Sequence, residues 1–213
     1  YSARVHLVSV TSLTSGLVMI VLVMILLVTT VTSGQNLRCD LKHIEPMDDF
    51  RESKFLGAWY KIRWYPAPQT SYWDALSDWR QDFFVRRGTP RLFYYECARR
   101  NSDGQCYKSP KMLIPTLASG QYLEVDQQTI TDIRIMATDY RNYAVIFRCS
   151  VYRDDFCLDS DVTIWGRKTS LSGIHMREAI SYAEDMCVDE NRHLDIKHSK
   201  SCVDEIAQRG KHG

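Results

Sequence analysis

Several residue patterns are missing from this chain of 213 residues, and each absence removes a class of function. No histidine occurs between Phe55 and Lys168, so this stretch offers neither an imidazole base nor a haem ligand. There is no Cys-x-x-Cys pair, and the six histidines have no spacing that completes a zinc site. The net charge of +1 provides no basic excess for nucleic acid.

Long apolar runs are also scarce, and the one that occurs, Leu17–Val31, lies near the start of the sequence. It is shorter than the roughly 20 residues of a membrane-spanning helix. Arg4 precedes it and small residues follow it, as in a secretory signal peptide. We therefore predict a leader over residues 1–34, a mature domain over 35–213 and secretion without stable membrane insertion. An uncleaved signal anchor is the alternative.

Short β-rich segments separated by turn residues fill the sequence from Phe55 to Lys168, a pattern typical of a β-sandwich or barrel. The predicted strands are Ala58–Tyr65, Arg91–Arg99, Gln105–Ile114, Gln121–Gln127, Thr131–Ala137, Asn142–Tyr152 and Asp161–Lys168. We expect the eighth strand of the barrel within Gln81–Val85, and we assign no element to the stretch Tyr72–Trp79.

The periodicity changes after Thr169, where apolar residues recur at steps of three or four up to Cys187. Ser172 is a suitable N-cap, and we predict a helix that ends near Val188. A single amphipathic helix that follows an antiparallel sheet is expected to cover the outside of that sheet.

Three short motifs lie on or beside the predicted strands: Gly57-Ala58-Trp59-Tyr60, Thr138-Asp139-Tyr140 and Trp165-Gly166-Arg167-Lys168. In this order and at this spacing they resemble the signature motifs of the lipocalins. The resemblance implies an all-β fold, an eight-stranded antiparallel up-and-down β-barrel with one C-terminal α-helix packed on the outside. It also implies that Gly57, Trp59, Thr138, Asp139, Tyr140 and Arg167 close one end of the barrel, with the Arg167 guanidinium stacked on the Trp59 indole.

Seven cysteines in an exported chain indicate disulfides and leave one thiol over. Similarity to the retinol-binding group of the lipocalins implies the pairs Cys39–Cys187 and Cys149–Cys157, with Cys202 joined to Cys106 or Cys97. The apolipoprotein D group implies a different scheme, in which Cys39 pairs with Cys149 and Cys187 has no role.

Alternation of side chains along the strands predicts which residues face the cavity. If Arg167 points inward over Trp59, the inward set comprises Ile133, Ile135, Ala137, Ala144, Ile146, Arg148, Thr163 and Trp165. Tyr143, Val145 and Phe147 then pack outside, under the helix. Arg148 lies towards the open mouth, where it could pair with the carboxylate of a fatty or retinoic acid.

The function implied by the resemblance is reversible binding and transport of a small hydrophobic molecule, a retinoid, fatty acid or pigment, without a cofactor or metal. We expect a carrier rather than an enzyme. One alternative is a lipid-isomerising enzyme that uses the unpaired thiol of Cys97 or Cys106. The other is a protein-binding or membrane-tethered module that docks through an aromatic cluster comprising Trp64, Tyr65, Tyr72, Trp73 and Trp79. The carrier itself is expected to be monomeric or weakly self-associating.

Overall fold

Eight long strands follow one another along the chain, with short elements before and after them. The computed structural model describes residues 39–67, 76–126, 129–189, 191–199 and 201–204. The chain enters through β1 (Cys39–Asp40), a 3-10 helix (Leu41–His43) and helix α1 (Glu52–Phe55). The long strands are β2 (Gly57–Tyr65), β3 (Leu76–Val85), β4 (Leu92–Arg100), β5 (Cys106–Pro115), β6 (Gln121–Val125), β7 (Ile130–Thr138), β8 (Tyr143–Arg153) and β9 (Phe156–Gly166). Helix α2 (Gly173–Glu184) and strand β10 (Leu194–Asp195) complete the described elements.

The long strands form a closed ring. Each strand from β2 to β9 pairs antiparallel with the next one along the chain. Strand β9 also pairs with β2, with Tyr60 opposite Gly166 and Tyr65 opposite Val162. Because this last ladder joins the first long strand to the last, the sheet is an up-and-down barrel. The predicted antiparallel barrel is confirmed.

Strand β3 is longer than the sequence predicts. It begins at Leu76, five residues before Gln81, where we expect the eighth strand to start. Asp78 has a φ of 52°, and the register against β4 shifts between Ser77 and Arg80. Such an irregularity moves the following side chains to the opposite face, so the period of two is lost in the sequence. The aromatic residues Tyr72 and Trp73 lie outside the described residues.

The predicted helix exists but is shorter than expected. The Ser172 side chain accepts a hydrogen bond from the backbone N–H of His175, which confirms the N-cap. The helix ends at Glu184 rather than near Val188. Cys187 has a φ of 43° and forms a disulfide, and neither feature continues a right-handed helix.

The wall of the barrel separates two apolar clusters. The inner cluster includes Trp59 and Trp165, both essentially inaccessible to solvent. The outer cluster lies between the sheet and α2, where Phe147 packs with Ala179 and Ala183. The helix therefore covers the outside of β7, β8 and β9, as expected.

Among the described residues, no helix has the length and apolar character needed to cross a membrane. The predicted leader, residues 1–34, lies outside the described residues, and the leader and the domain boundary that follows it stay predictions.

Candidate ligand-binding site

One end of the barrel is closed by a tryptophan beneath an arginine. Trp59 on β2 is fully buried, and its indole N–H donates to the carbonyl of Phe55 at 2.8 Å. The guanidinium carbon of Arg167 lies 3.8 Å from the centre of the Trp59 ring. Such a cation–π contact stabilises by about 0.5–2 kcal/mol, with the larger value where water is excluded. We call this end the floor of the barrel.

The guanidinium nitrogens of Arg167 donate hydrogen bonds to main-chain carbonyl groups, which hold the side chain in place. Its five hydrogen bonds, 3.0–3.3 Å long, run to the carbonyl oxygens of Lys54, Phe55, Leu56, Ala58 and Tyr140. Gly57 lies in the chain between two of these acceptors, Leu56 and Ala58, and has a φ of 96°. A Cβ at this position would lie 3.4 Å from a terminal nitrogen of Arg167. The side chain thus joins α1, the start of β2 and the β7–β8 loop.

The Thr138-Asp139-Tyr140 motif forms that loop. The Asp139 carboxylate accepts from the backbone N–H groups of Arg141, Asn142 and Tyr143 at 2.7–3.1 Å. Burial acts to raise the pKa of Asp139, but these hydrogen bonds and one from the Asn142 side chain lower it below its usual value. The hydroxyl of Thr138 accepts from the N–H of Tyr140, which has a φ of 64°. All three predicted motifs therefore meet at the floor.

Above the floor, the barrel interior is apolar and almost filled. The deep cavity has a volume of only about 10 Å³, close to the minimum for one water molecule. Its walls are Gln81, Phe83, Tyr94, Leu113, Ile133, Ile135, Ile146, Arg148, Thr163 and Trp165. The lower part of the barrel interior is therefore a packed hydrophobic core.

A wider and more polar space, which we call the upper chamber, lies beyond Arg148. Its volume is about 160 Å³. Its lining residues are Lys61, Trp64, Trp79, Glu96, Lys111, Glu124, Arg148 and Asp161. Three of these are basic and three acidic, so the chamber contains balanced charge together with two indole rings.

The charges of the upper chamber are unevenly paired. Arg148 lies 3.6 Å from a carboxylate oxygen of Glu124 and 3.9 Å from one of Asp161. Glu124 also accepts a short hydrogen bond from the hydroxyl of Tyr94 and lies 3.5 Å from Lys111. Arg148 and Lys111 are thus matched to carboxylates.

Lys61 differs from these two cations. Its ammonium nitrogen lies 3.3 Å from the centre of the Trp79 ring, with Trp64 and Trp165 at 5.3 and 5.2 Å. Among the described residues no carboxylate lies within ion-pair distance of it. Burial lowers the pKa of Lys61 to about 7, although nearby Asp161 raises it.

Three buried polar atoms of the described residues lack a hydrogen-bond partner, and all three belong to the lining of the upper chamber. They are the indole nitrogens of Trp64 and Trp79 and one carboxylate oxygen of Asp161. Burial raises the pKa of Asp161 and the nearby Trp64 N–H acts to lower it, but the Trp64 N–H makes no hydrogen bond. Since buried polar groups are nearly always partnered in folded proteins, their concentration here marks a site that a ligand or water can complete.

Comparison with known proteins gives structural neighbours only. No protein-family model matches the chain, and no curated protein matches it. The structure of lobster apocrustacyanin A1 is similar, with a TM-score of 0.59 and 18% identity over 72% of this chain and 83% of that chain. Apocrustacyanin C1 has a TM-score of 0.59 and 18% identity over 73% and 84%, and apocrustacyanin C2 has 0.58 and 18% over 72% and 82%. The chain has the lipocalin fold.

Within the lipocalin fold, most of the predicted cavity residues lie inside the barrel. Ile133, Ile135, Ile146, Arg148, Thr163 and Trp165 line the deep cavity, and Ala144 packs in the inner cluster beside them. Tyr143, Val145 and Phe147 pack outside, in the cluster under α2. Their contact with a ligand stays a prediction.

Ala137 is the exception, and its predicted inward direction is wrong. It packs in the outer cluster with Val145 and Phe147. Ile135 pairs with Ile146, whereas Ala137 pairs with Val145, so Met136 is an extra residue on β7. This bulge reverses the direction of the side chains that follow it.

Three disulfides stabilise the described part of the lipocalin fold: Cys39–Cys187, Cys106–Cys202 and Cys149–Cys157. They agree with the retinol-binding scheme and settle the partner of Cys202 as Cys106. The apolipoprotein D pairing of Cys39 with Cys149 is absent from these three.

Cys97 is the free cysteine of the described residues, and it is buried. It lies on β4 between Glu96 and Ala98, and its partner across the ladder is Lys108 on β5. Since Tyr94 and Glu96 face the interior, Cys97 points away from both cavities. Burial raises the pKa of its thiol, which disfavours the nucleophilic thiolate. The cavity thiol required by the isomerase alternative is therefore not present among these linings.

The aromatic residues proposed as a docking cluster are divided between different environments. Trp64 and Trp79 line the upper chamber, with ring centres 6.1 Å apart. Tyr65 is buried in the outer cluster. Tyr72 and Trp73 lie outside the described residues, so the docking alternative stays a prediction for those two.

Sequence reasoning missed most of the upper chamber, although part of the signal was present. Alternation from Trp59 places Lys61 inward, and alternation from Thr163 places Asp161 inward. Lys61 and Trp64 are an odd number of residues apart and yet both line the chamber, because the β2–β9 register shifts between Lys61 and Arg63. Without coordinates this bulge has no visible sequence signal.

Proposed function

We propose that this protein is an extracellular carrier that reversibly binds a small, neutral and mostly apolar molecule in its upper chamber. The observation that carries this proposal is the chamber itself, a space of about 160 Å³ lined by two indole rings and by every unpartnered buried polar atom of the described residues. A lipocalin fold closed at its floor leaves this chamber as the natural site for a ligand.

The charges favour a neutral ligand over a carboxylic acid. A ligand carboxylate would need a free cation, yet Arg148 is matched to Glu124 and Asp161, and Lys111 to Glu124 and Asp126. Lys61 is only partly protonated at neutral pH, since its pKa is about 7. A hydroxyl or carbonyl oxygen, in contrast, can accept from the indole N–H groups without disturbing these pairs. We therefore place alcohols, aldehydes and ketones ahead of fatty or retinoic acids.

Apolar burial would supply most of the affinity. Burial contributes about 25 cal/mol per Å² of apolar ligand surface before the costs of association. Because the deep cavity is nearly filled, the ligand body would lie against Trp64 and Trp79 rather than on the floor.

Location outside the cell is supported by the cysteines. Three disulfides use six of the seven cysteines, and structural disulfides persist in oxidising compartments. The same three pairs support the retinol-binding group as the nearest source of ligand candidates, with retinoids first.

Titration with retinol and retinoic acid tests this function, because the two compounds share one apolar body and differ at the polar end. Binding is measured by quenching of tryptophan fluorescence. We expect saturable binding of retinol and at least ten-fold weaker binding of retinoic acid. The substitution Trp79→Leu should weaken retinol binding about ten-fold, since Trp79 lines the chamber.

The matched control for that variant is Tyr95→Leu, which removes an aromatic ring stacked on Phe84 on the outer face of the barrel. Its retinol affinity should equal that of the unmodified protein. Absence of saturable retinol binding, or equal losses in both variants, would contradict a carrier with its site in the upper chamber.

A further inference from the structure

Lys61 is the feature of the upper chamber that simple ligand burial leaves unexplained. Its side chain is buried to 3% exposure, and its nitrogen lies among three indole rings. A structural lysine in such a place would be expected to form an ion pair, yet none is present among the described residues. The other chamber lysine, Lys111, has two carboxylate partners, at 3.0 and 3.5 Å.

This rests on the proposed function and extends it: we propose that the Lys61 amine forms a reversible imine with the carbonyl carbon of an aldehyde ligand held in the upper chamber. The assignment stands on an amine that lines a ligand-sized space, is shielded from water by indole rings and has no carboxylate of the described residues within ion-pair distance. The ligand class is an aldehyde with an extended apolar body.

The reaction needs no oxidant or metal. The neutral nitrogen of Lys61 attacks the carbonyl carbon, and the carbonyl oxygen leaves as water after it takes up the two protons released by the amine. One aldehyde and one amine thus give one imine and one water, and hydrolysis returns both. A protonated imine carries a positive charge, for which Asp161 provides the facing carboxylate with an unpartnered oxygen.

The electrostatic surroundings favour the reactive form of the amine. Burial lowers the pKa of Lys61 from 10.5 to about 7, Arg148 lowers it further, and Asp161, Glu96 and Glu124 act in the opposite direction. About half of the Lys61 amine is therefore neutral near pH 7. The pKa of Lys111 is instead raised, because Asp126 and Glu124 outweigh burial, so Lys111 stays protonated.

Retinal and retinol distinguish imine formation from simple binding, since they share one body and only retinal has a carbonyl carbon. Each is mixed with the protein, sodium borohydride is added, and the product is analysed by intact mass and peptide mapping. We expect retinal alone to add the mass of one retinal less one oxygen, at Lys61. A red shift of the retinal absorption band should accompany the protonated imine, and the labelling yield should rise with pH through about 7.

Two matched variants, Lys61→Met and Lys111→Met, each remove one amine from the same chamber. We expect Lys61→Met to abolish the adduct, and its circular dichroism spectrum and cooperative urea unfolding show that it folds. Lys111→Met should keep the adduct. In the unmodified protein retinal should bind at least ten-fold more tightly than retinol, and this ratio should fall to about one in Lys61→Met.

Failure of the two proposals can be told apart. If both retinoids bind with similar affinity and Lys61 stays unlabelled, imine formation is overturned and the carrier function stands. If retinol fails to bind while retinal still labels Lys61, the carrier that holds neutral ligands without a covalent bond is overturned and the reactive amine stands. A wild-type yield of adduct in Lys61→Met would overturn the assignment of the residue.

Discussion

The floor and the upper chamber of this barrel are built from similar residues, yet they satisfy their polar groups very differently. At the floor, one cation stacks on one indole and donates five hydrogen bonds to main-chain carbonyls. In the chamber, another cation lies on an indole at 3.3 Å without a carboxylate partner among the described residues, and two indole N–H groups have no acceptor.

This difference separates a stabilising contact from a site that remains incomplete without a ligand. A buried polar group that has its partners contributes about 0.5–1.5 kcal/mol, whereas one that lacks them costs about 1–3 kcal/mol. The floor therefore stabilises the fold. The chamber costs stability, and departures from full satisfaction are expected where a protein binds something.

The strongest test of the floor is Arg167→Ala. The change removes the contact with Trp59 and leaves five carbonyl groups without their donor, so we expect the free energy of unfolding to fall by about 2–4 kcal/mol. Urea denaturation followed by tryptophan fluorescence measures this loss.

Two comparison variants sharpen this result. Lys168→Ala removes the exposed neighbouring cation and should change stability by less than about 0.5 kcal/mol. Arg167→Lys keeps the charge but not the planar set of donors, and its stability should lie between those of Arg167→Ala and the unmodified protein. If Arg167→Ala were no less stable than Lys168→Ala, the floor would not be the stabilising region.

Between pH 7 and pH 9 the chamber predicts a dependence of stability on pH that the floor does not. The pKa of Lys61 is about 7 in the folded protein and 10.5 without burial. Between these values the unfolded chain binds a proton that the folded protein lacks, so stability rises with pH, by up to about 1.4 kcal/mol per pH unit. We expect the difference in unfolding free energy between the unmodified protein and Lys61→Met to shift by about 2 kcal/mol in favour of the former from pH 7 to pH 9.

Lys111→Met serves as the control for this pH series, because the pKa of Lys111 is raised and the residue stays protonated across the same range. Its stability relative to the unmodified protein should stay constant between pH 7 and pH 9. A constant difference for Lys61→Met as well would mean that Lys61 is an ordinary ammonium ion, and the contrast between the two regions would be lost.

The floor was predicted through the resemblance of three short motifs to those of the lipocalins, and its residues lie at the ends of elements. Gly57 and Trp59 precede the bulge in β2, Arg167 directly follows the regular end of β9, and the Thr138-Asp139-Tyr140 loop is defined by its own hydrogen bonds. Local chemistry of this kind is visible in the sequence. The disulfide pairs followed from resemblance, since spacing alone allows many pairings.

The upper chamber could not be predicted in the same way, because two bulges intervene. The register shifts within β2 and β3 decide the faces of Trp64 and Trp79. Each shift depends on pairing with a neighbouring strand and leaves no mark on the alternation before it. A charged residue such as Glu124 on β6 also suggests the solvent face, although here it is buried and lines the chamber.

Gly57→Ala tests how closely the floor is fitted, and it has the smallest expected effect. The φ of 96° is unfavourable for any residue with a Cβ, and the new methyl group would lie 3.4 Å from Arg167. Gly104→Ala shares a positive φ, 67°, but meets no atom within 4 Å, so it measures backbone strain in open surroundings. We expect Gly57→Ala to lower the free energy of unfolding by about 1 kcal/mol more than Gly104→Ala does. Since Arg167 is already absent in Arg167→Ala, adding Gly57→Ala to that variant should cost less than it costs alone; a fully additive double mutant would show that Gly57 matters for its backbone only.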